Sequence, residues 1–343
     1  DRPVVVRRLY GRVHFHPAEV PRSGMLRFLE RRGLELIEQH RPDLIVSHDY
    51  GWFYNGLAAA RLSRRSGVPY LSEIHHVPGV PVAADLREVF DRAVAKRYVR
   101  WARSRARAFR VVNGGEMPAL LRSWGVAPEQ ILVLPSLYID LELFRPPPKP
   151  LAVEQDVLYV GRMVNNKGLA RIVEALARLA REGQPLSATF LGKGPLRADT
   201  ERRVRAAGLG ERVRFLDWID SGASLARLYA QSRVLVCAST CEGGPRVTVE
   251  AMACGTPVVS TPVGVMGELL ADGRAGRLVG FDAASLADGI AGLLADEPVR
   301  RQAGLAAREI ASAFEYQRVL EGYARGLHAL VGQAPLRRPE EAP

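Results

Sequence analysis

Glu242 and Glu250 stand at the two ends of a Gly243-Gly244-Pro245 turn and a short apolar run, within STCEGGPRVTVEAMACGTPVV. Pro245 suits the first position of a helix, where its missing N–H is no loss. The amides of Arg246 and Val247 then become unpaired first-turn donors, and a helix start of that kind is a seat for a phosphate. At a rise of about 1.5 Å per residue, Glu250 lies roughly 7 Å beyond Pro245. One carboxylate could reach a sugar and the other a ribose. Two earlier loops carry matching chemistry. DVLYV runs into Gly161-Arg162 and then Lys167-Gly168, two cations able to pair with diphosphate oxygens. ATFL runs into Gly192-Lys193-Gly194-Pro195, where glycine lets the backbone come close to a ligand. Each feature alone has an ordinary reading: a solvated cation, a common turn, or a helix-dipole charge worth about 0.3–1 kcal/mol. Three successive strand ends with glycines and a charge point jointly to a phosphorylated sugar.

Loops serve in this way at the carboxyl ends of parallel strands, beside helix starts. The flanking sequence supplies such elements. Apolar runs and amphipathic periods predict strands over residues 156–160, 188–191, 213–216, 234–238 and 257–260. Helices are predicted between them over 169–181, 196–207, 224–231 and 245–253, then over 283–295, 299–313 and 316–330. Upstream, strands are expected over 4–9, 43–47 and 69–74, with helices over 25–39 and 56–65. Alternation of this kind argues for parallel sheets built from βαβ units. The stretch FRPPPKP over residues 144–150 can neither continue a helix nor donate to a ladder, and it reads as an interdomain linker. The expected organisation is α/β, with two Rossmann-like doubly wound domains over residues 1–146 and 147–315 facing across a cleft. A closing helix follows over 316–332 and a disordered tail over 333–343.

Composition narrows the class. With 47% hydrophobic and 25% charged residues, the chain has an ordinary globular balance. Its 343 residues suit two domains. No apolar run approaches the roughly 20 residues of a membrane span and no signal peptide opens the chain, so a cytoplasmic location is expected. Cys237, Cys241 and Cys254 are too few for a disulfide framework or a zinc cage. The net charge of +11 invites a nucleic-acid reading. However, only Lys96, Lys149, Lys167 and Lys193 among the 48 basic residues are lysine, which suits a composition bias better than selection for DNA.

These residues resemble those of glycosyltransferase family 4, retaining enzymes with the GT-B fold. The likeness rests on Gly161-Arg162, Lys167-Gly168, the GKGP from Gly192, and Glu242 to Glu250 followed by AMACGTPVV. It spans about residues 41–330. The resemblance implies that Arg162 and Lys167 bind the donor diphosphate together with Gly244, Pro245, Arg246 and Val247. It also implies that Glu242 contacts the donor sugar beside Gly192, Gly194 and Gly243, and that Glu250 holds the ribose. The base would meet Trp218 and Ile219. PYLSEIHH aligns His75 with the family's active-site histidine, with His76 as its rival, and FEYQRVLEGYARGL resembles the closing helix. The family's first strand and the glycine-rich loop after it have no counterpart here, so an N-terminal domain lacking its first strand is expected.

The implied reaction is transfer of a sugar from a UDP- or GDP-sugar with retention, through an oxocarbenium-like state whose leaving diphosphate is stabilised electrostatically. No Asp-x-Asp triplet appears, so no metal or other cofactor is expected, and the proline linker is the candidate hinge for closure. Epimerases and phosphorylases of the same architecture are the rival enzymes. A binding protein is the third reading. Residues 95–110 (AKRYVRWARSRARAFR) interleave Tyr98 and Trp101 with seven basic residues, and an amphipathic helix there would suit an anionic membrane at the inner face better than nucleic acid. Acceptor, sugar and nucleotide are left open, with a lipid-linked acceptor in view.

Overall fold

A computed structural model describes residues 22–332; the strand expected over 4–9 and the tail expected over 333–343 lie outside them. The first unit contains α1 (Arg22–His40), β1 (Ile45–His48), α2 (Tyr54–Ser66), β2 (Tyr70–Glu73), α3 (Leu86–Ala102), β3 (Ala108–Val111), α4 (Glu116–Ser123) and β4 (Ile131–Val133). Its strands pair in parallel in the order β1-β2-β3-β4. Among the described residues this order shows no reversal, so the double winding expected of the first domain is not seen in them. β2 and β3 are buried along their whole length, because helices cover the sheet.

The second unit follows the predicted alternation closely. It runs β5 (Gln155–Val160), α5 (Leu169–Arg181), β6 (Ala188–Leu191), α6 (Arg197–Ala206), β7 (Val213–Leu216), α7 (Gly222–Ala230), β8 (Ser232–Cys237) and α8 (Arg246–Ala253). It ends with β9 (Val258–Ser260), α9 (Met266–Leu269), β10 (Gly276–Leu278), α10 (Ala283–Leu294), α11 (Glu297–Ala311) and α12 (Tyr316–Val331). α5 shows why the elements form where they do. Leu169, Ile172, Val173, Leu176 and Leu179 recur at three- and four-residue spacing and all are buried, each such side chain contributing roughly 1.5–3 kcal/mol. The sheet order is β10-β9-β8-β5-β6-β7, all parallel. Strand order therefore reverses between β5 and β8, and a ligand crevice opens at such a switch point.

Two units become one molecule through the linker and α12. Ile139 donates its amide to the Phe314 carbonyl (2.8 Å) and accepts from the Tyr316 amide (3.1 Å). Leu327 and Leu330 of α12 then pack on Leu71 and Ala108 of the first sheet. At the linker start Phe144 is buried, and its carbonyl accepts from Arg308 (2.9 Å).

The segment 95–110 is not the amphipathic surface helix expected for it. α3 stops at Ala102 and the chain re-enters the sheet as β3. Tyr98 is buried, stacked on Phe53 at 4.3 Å and hydrogen-bonded to Asp49 (2.9 Å), while Arg110 is a core residue of β3. Tyr98 and Arg110 are drawn into the interior, while Lys96, Arg97 and Arg100 stay exposed and Arg105 lies over the Trp101 ring at 4.5 Å.

Candidate functional site

The reversal of strand order sets the loops after β5 and β8 side by side, and backbone contacts stitch them together. The Thr240 amide donates to the Asn166 carbonyl (2.8 Å), and the Asn166 side chain donates to the Cys241 carbonyl (3.1 Å). Gly168 adopts φ +68°, and a Cβ there would stand 2.1 Å from the Ala238 carbonyl oxygen, so only glycine allows this approach. The outcome is an ion pair between Lys167 and Glu242, with each side chain less than a fifth exposed. The Ser239 hydroxyl also donates to Glu242 (3.2 Å). Arg162 is exposed at the same mouth.

Gly192 and Gly194 do something other than open a path to a ligand. A Cβ on Gly192 would lie 1.9 Å from the Gly161 carbonyl, and one on Gly194 2.4 Å from the Met163 carbonyl. Neighbouring parallel strands are only about 4.8 Å apart, so the β6 loop has to pack directly on the β5 loop, and the Met163 amide donates to the Lys193 carbonyl (2.8 Å). Trp218 and Ile219 follow β7, two strands from β5, with Trp218 75% exposed. Ile219 packs partly into the second core.

α8 begins at Arg246, with Pro245 as the residue before the first turn, one position later than the sequence reading. Its first amides, those of Arg246 and Val247, have no partners from within the helix. The Arg246 side chain turns away. Its Nε donates to Glu250 (3.0 Å) and its guanidinium lies over the Tyr138 ring at 5.3 Å. Glu250 is 6% exposed and also accepts from the Tyr229 hydroxyl (3.0 Å). Burial pushes its carboxyl up, an effect that Tyr229 and Arg246 oppose. The structure thus joins Glu242 to Lys167 and holds Glu250 in a separate buried network.

The first unit supplies the opposite wall. A Cβ on Gly243 would stand 2.5 Å from the His75 carbonyl, and the Cys241 thiol donates to the Val77 carbonyl (3.2 Å). Residues 75 and 243 therefore meet, as do 77 and 241, and His76 falls opposite Glu242. His76 is exposed as a whole residue, though its ring is desolvated by the protein around it. Surrounding protein lowers its pKa; the charge of Glu242 raises it, and Lys167 and Arg162 lower it further. His75 points elsewhere, against His48 (ring centroids 4.4 Å apart) and within 3.3 Å of the Arg110 guanidinium. Burial first, then His48 and Arg110, bring it down to about 4, so it is neutral at pH 7. Of the two histidines weighed from the sequence, His76 is the one facing the donor-side charges.

Around His75 lies a cluster that the sequence did not announce. Glu73 accepts from Arg110 (2.8 Å) and from the Tyr323 hydroxyl of α12 (2.8 Å). Burial alone would raise its pKa; His48, Arg110 and Tyr323 outweigh burial and bring it down to about 2. Ligand atoms of His48, Glu73 and His75 lie within 4.8 Å of one another, a spacing suited to a metal, but Arg110 already supplies the positive charge there. A second overlooked contact crosses the domains. Glu268 accepts from the amides of Gly114 (2.8 Å) and Gly115 (2.7 Å) at the start of α4. The run Asn113-Gly114-Gly115-Glu116 was the available signal, being another glycine-rich helix start.

The family described as "Glycosyl transferases group 1" matches residues 145–310, and "Glycosyl transferase 4-like domain" matches residues 1–136. D-inositol 3-phosphate glycosyltransferase of Arthrobacter sp. (strain FB24) is 30% identical over 92% of this chain and 79% of its own. The chain belongs to the family 4 glycosyltransferases. Sucrose-phosphate synthase of Thermosynechococcus elongatus superposes with TM-score 0.73 at 27% identity, covering 94% of this chain and 83% of its own. HepE of Anabaena, solved in complex with UDP, reaches TM-score 0.73 at 22% identity over 90% of this chain and 84% of its own, a likeness of fold. The family 4 glycosyltransferase described here is thus a GT-B hexosyltransferase with two parallel-sheet α/β units.

Proposed function

We propose that this glycosyltransferase takes its hexose from a UDP- or GDP-sugar bound at the β5–β8 switch point, and transfers it with retention and without a metal. The observation that carries this reading is the Lys167–Glu242 pair, set at the one place in the second sheet where strand order reverses and beside the unpaired amides opening α8. Lys167, Arg162 and the amides of Gly244, Arg246 and Val247 meet the diphosphate, so negative charge that builds as the anomeric C–O bond breaks falls on fixed donors. Glu242, released from Lys167 by the incoming diphosphate, turns to the sugar hydroxyls. Glu250 reaches the ribose only if Arg246 yields its hydrogen bond. Trp218, exposed at the end of β7, stacks on the base. Protein from both units excludes water when the cleft closes about the 144–150 linker.

Thermal melting against UDP, GDP, ADP and their sugars tests the proposal. A ligand at 100 times its dissociation constant adds about 2.7 kcal/mol to stability, and one nucleotide series is expected to raise the melting temperature. Lys167→Ala should abolish the rise and the exposed Lys149→Ala should keep it. A rise that survives Lys167→Ala would place the nucleotide elsewhere.

A further inference from the structure

The first half of α3 projects its apolar residues into solvent. Leu86 is 86% exposed, Phe90 53% and Val89 41%, and Phe90 meets the Trp52 ring edge-to-face at 5.9 Å. On a helix of 3.6 residues per turn, positions 86, 89, 90 and 93 share one side, and 96, 97 and 100 continue that side. The opposite side carries Ala95, Tyr98, Val99 and Ala102, all buried. The outward side therefore reads apolar for two turns and then Lys96, Arg97 and Arg100, which are exposed. The helix acids are absent from it. Glu88 folds back to accept from the Ala84 amide (2.7 Å), and Asp91 lies toward the buried side, where Arg87 approaches it at 3.9 Å.

We propose that this face of α3 docks on an anionic bilayer surface, with Leu86, Val89 and Phe90 entering the headgroup boundary and Lys96, Arg97 and Arg100 lying along the lipid phosphates. Charge selects this occupant. An exposed apolar stripe continued by cations alone suits a negatively charged, apolar-backed surface, whereas a second copy of this basic chain would bring like charge against like. Among the described residues no helix is long and apolar enough to cross a membrane, so the contact is peripheral. The start of α3 lies near the cleft, because the Val82 amide just before it donates to the Thr240 carbonyl of the second unit (3.4 Å). The proposed face takes only Lys96, Arg97 and Arg100 from the 95–110 window, whose Tyr98 and Arg110 are buried, and it does not depend on which donor the enzyme uses.

Co-sedimentation of the full chain with phosphatidylglycerol–phosphatidylcholine vesicles, against phosphatidylcholine alone, tests the inference at low and high salt. The chain should bind the anionic vesicles at least tenfold more tightly, and high salt should weaken that binding. Leu86→Glu/Phe90→Glu should lose it on both vesicle types, while Lys96→Ala/Arg97→Ala/Arg100→Ala should lose only the anionic preference. All these side chains are exposed, and unchanged melting curves check that the variants fold. Leu305→Glu, on an exposed site of α11, should bind as the parent does. Equal binding to both vesicles by the parent chain, or full binding by Leu86→Glu/Phe90→Glu, overturns the proposal. So does a dimer in light scattering that Leu86→Glu/Phe90→Glu dissolves, since the face would then be covered by a second copy.

Discussion

The two walls of the cleft are built by different means. On the second-unit side, charge is carried by loops whose glycines let backbone meet backbone, as at Gly168 against Ala238 and Gly192 against Gly161, and the ion pair Lys167–Glu242 remains partly open to solvent. On the first-unit side, charge is buried within the sheet. Glu73, Arg110 and Tyr323 come from β2, β3 and α12 and satisfy one another. The first arrangement leaves donors and acceptors ready for a ligand. The second saturates them and holds His75 neutral. One wall carries a pair that, in the proposed function, gives way to substrate; the other is a saturated frame.

The largest expected effect breaks that contrast on the frame side. Arg110→Ala leaves Glu73 charged and buried without its guanidinium, which should cost about 3–5 kcal/mol in urea unfolding. Removing both partners, as Arg110→Met/Glu73→Gln, should cost less than the sum of the single changes. Next comes the ligand side. Lys167→Ala should reduce kcat by roughly 10²–10³, about 3–4 kcal/mol of barrier, and should lower unfolding free energy less than Arg110→Ala does, because the pair is less buried than Glu73–Arg110. If instead Lys167→Ala unfolds the protein and Arg110→Ala merely slows it, the two walls have been assigned the wrong way round.

This asymmetry also explains what was legible in the sequence. Gly161-Arg162, Lys167-Gly168 and Glu242-Gly243-Gly244 each fit within a few residues, because a loop that binds phosphate needs its glycines and charge together. The predicted elements of the second unit match within about two residues for the same reason: α5 and β6 carry their periodicity locally. The frame is non-local. Nothing in ARAFRVV announces that Arg110 faces Glu73, 37 positions away, and the surrounding arginines disguised it as surface. β3, β4, α4, α9 and β10 went unread because their apolar runs are only a few residues long. Glu250 showed the limit of spacing arguments: its position in α8 was right, but Tyr229 and Arg246 claim its oxygens.

Two smaller effects sharpen the comparison at the seam between the walls. Burial pushes the Glu116 carboxyl up to about 7 from an ordinary 4.5. With the folded value above the unfolded one, its cost to stability grows as pH rises from about 4.5 and is complete above about 7. Glu116→Gln should therefore melt above the parent chain at pH 8, by at most about 3 kcal/mol, and equally with it below pH 4.5. Smallest is the contact of Glu268 with the Gly114 and Gly115 amides. Glu268→Ala should lower unfolding free energy by about 1 kcal/mol and broaden the interdomain distance distribution in small-angle scattering.

The central claim is that the donor diphosphate lies where β5 and β8 part. Isothermal titration of the preferred nucleoside diphosphate addresses it directly, on the parent chain, Lys167→Ala and Arg162→Ala. The account predicts a dissociation constant at least tenfold weaker for each variant, with one site per chain. Unchanged affinity in both variants, measured on folded protein, would contradict it.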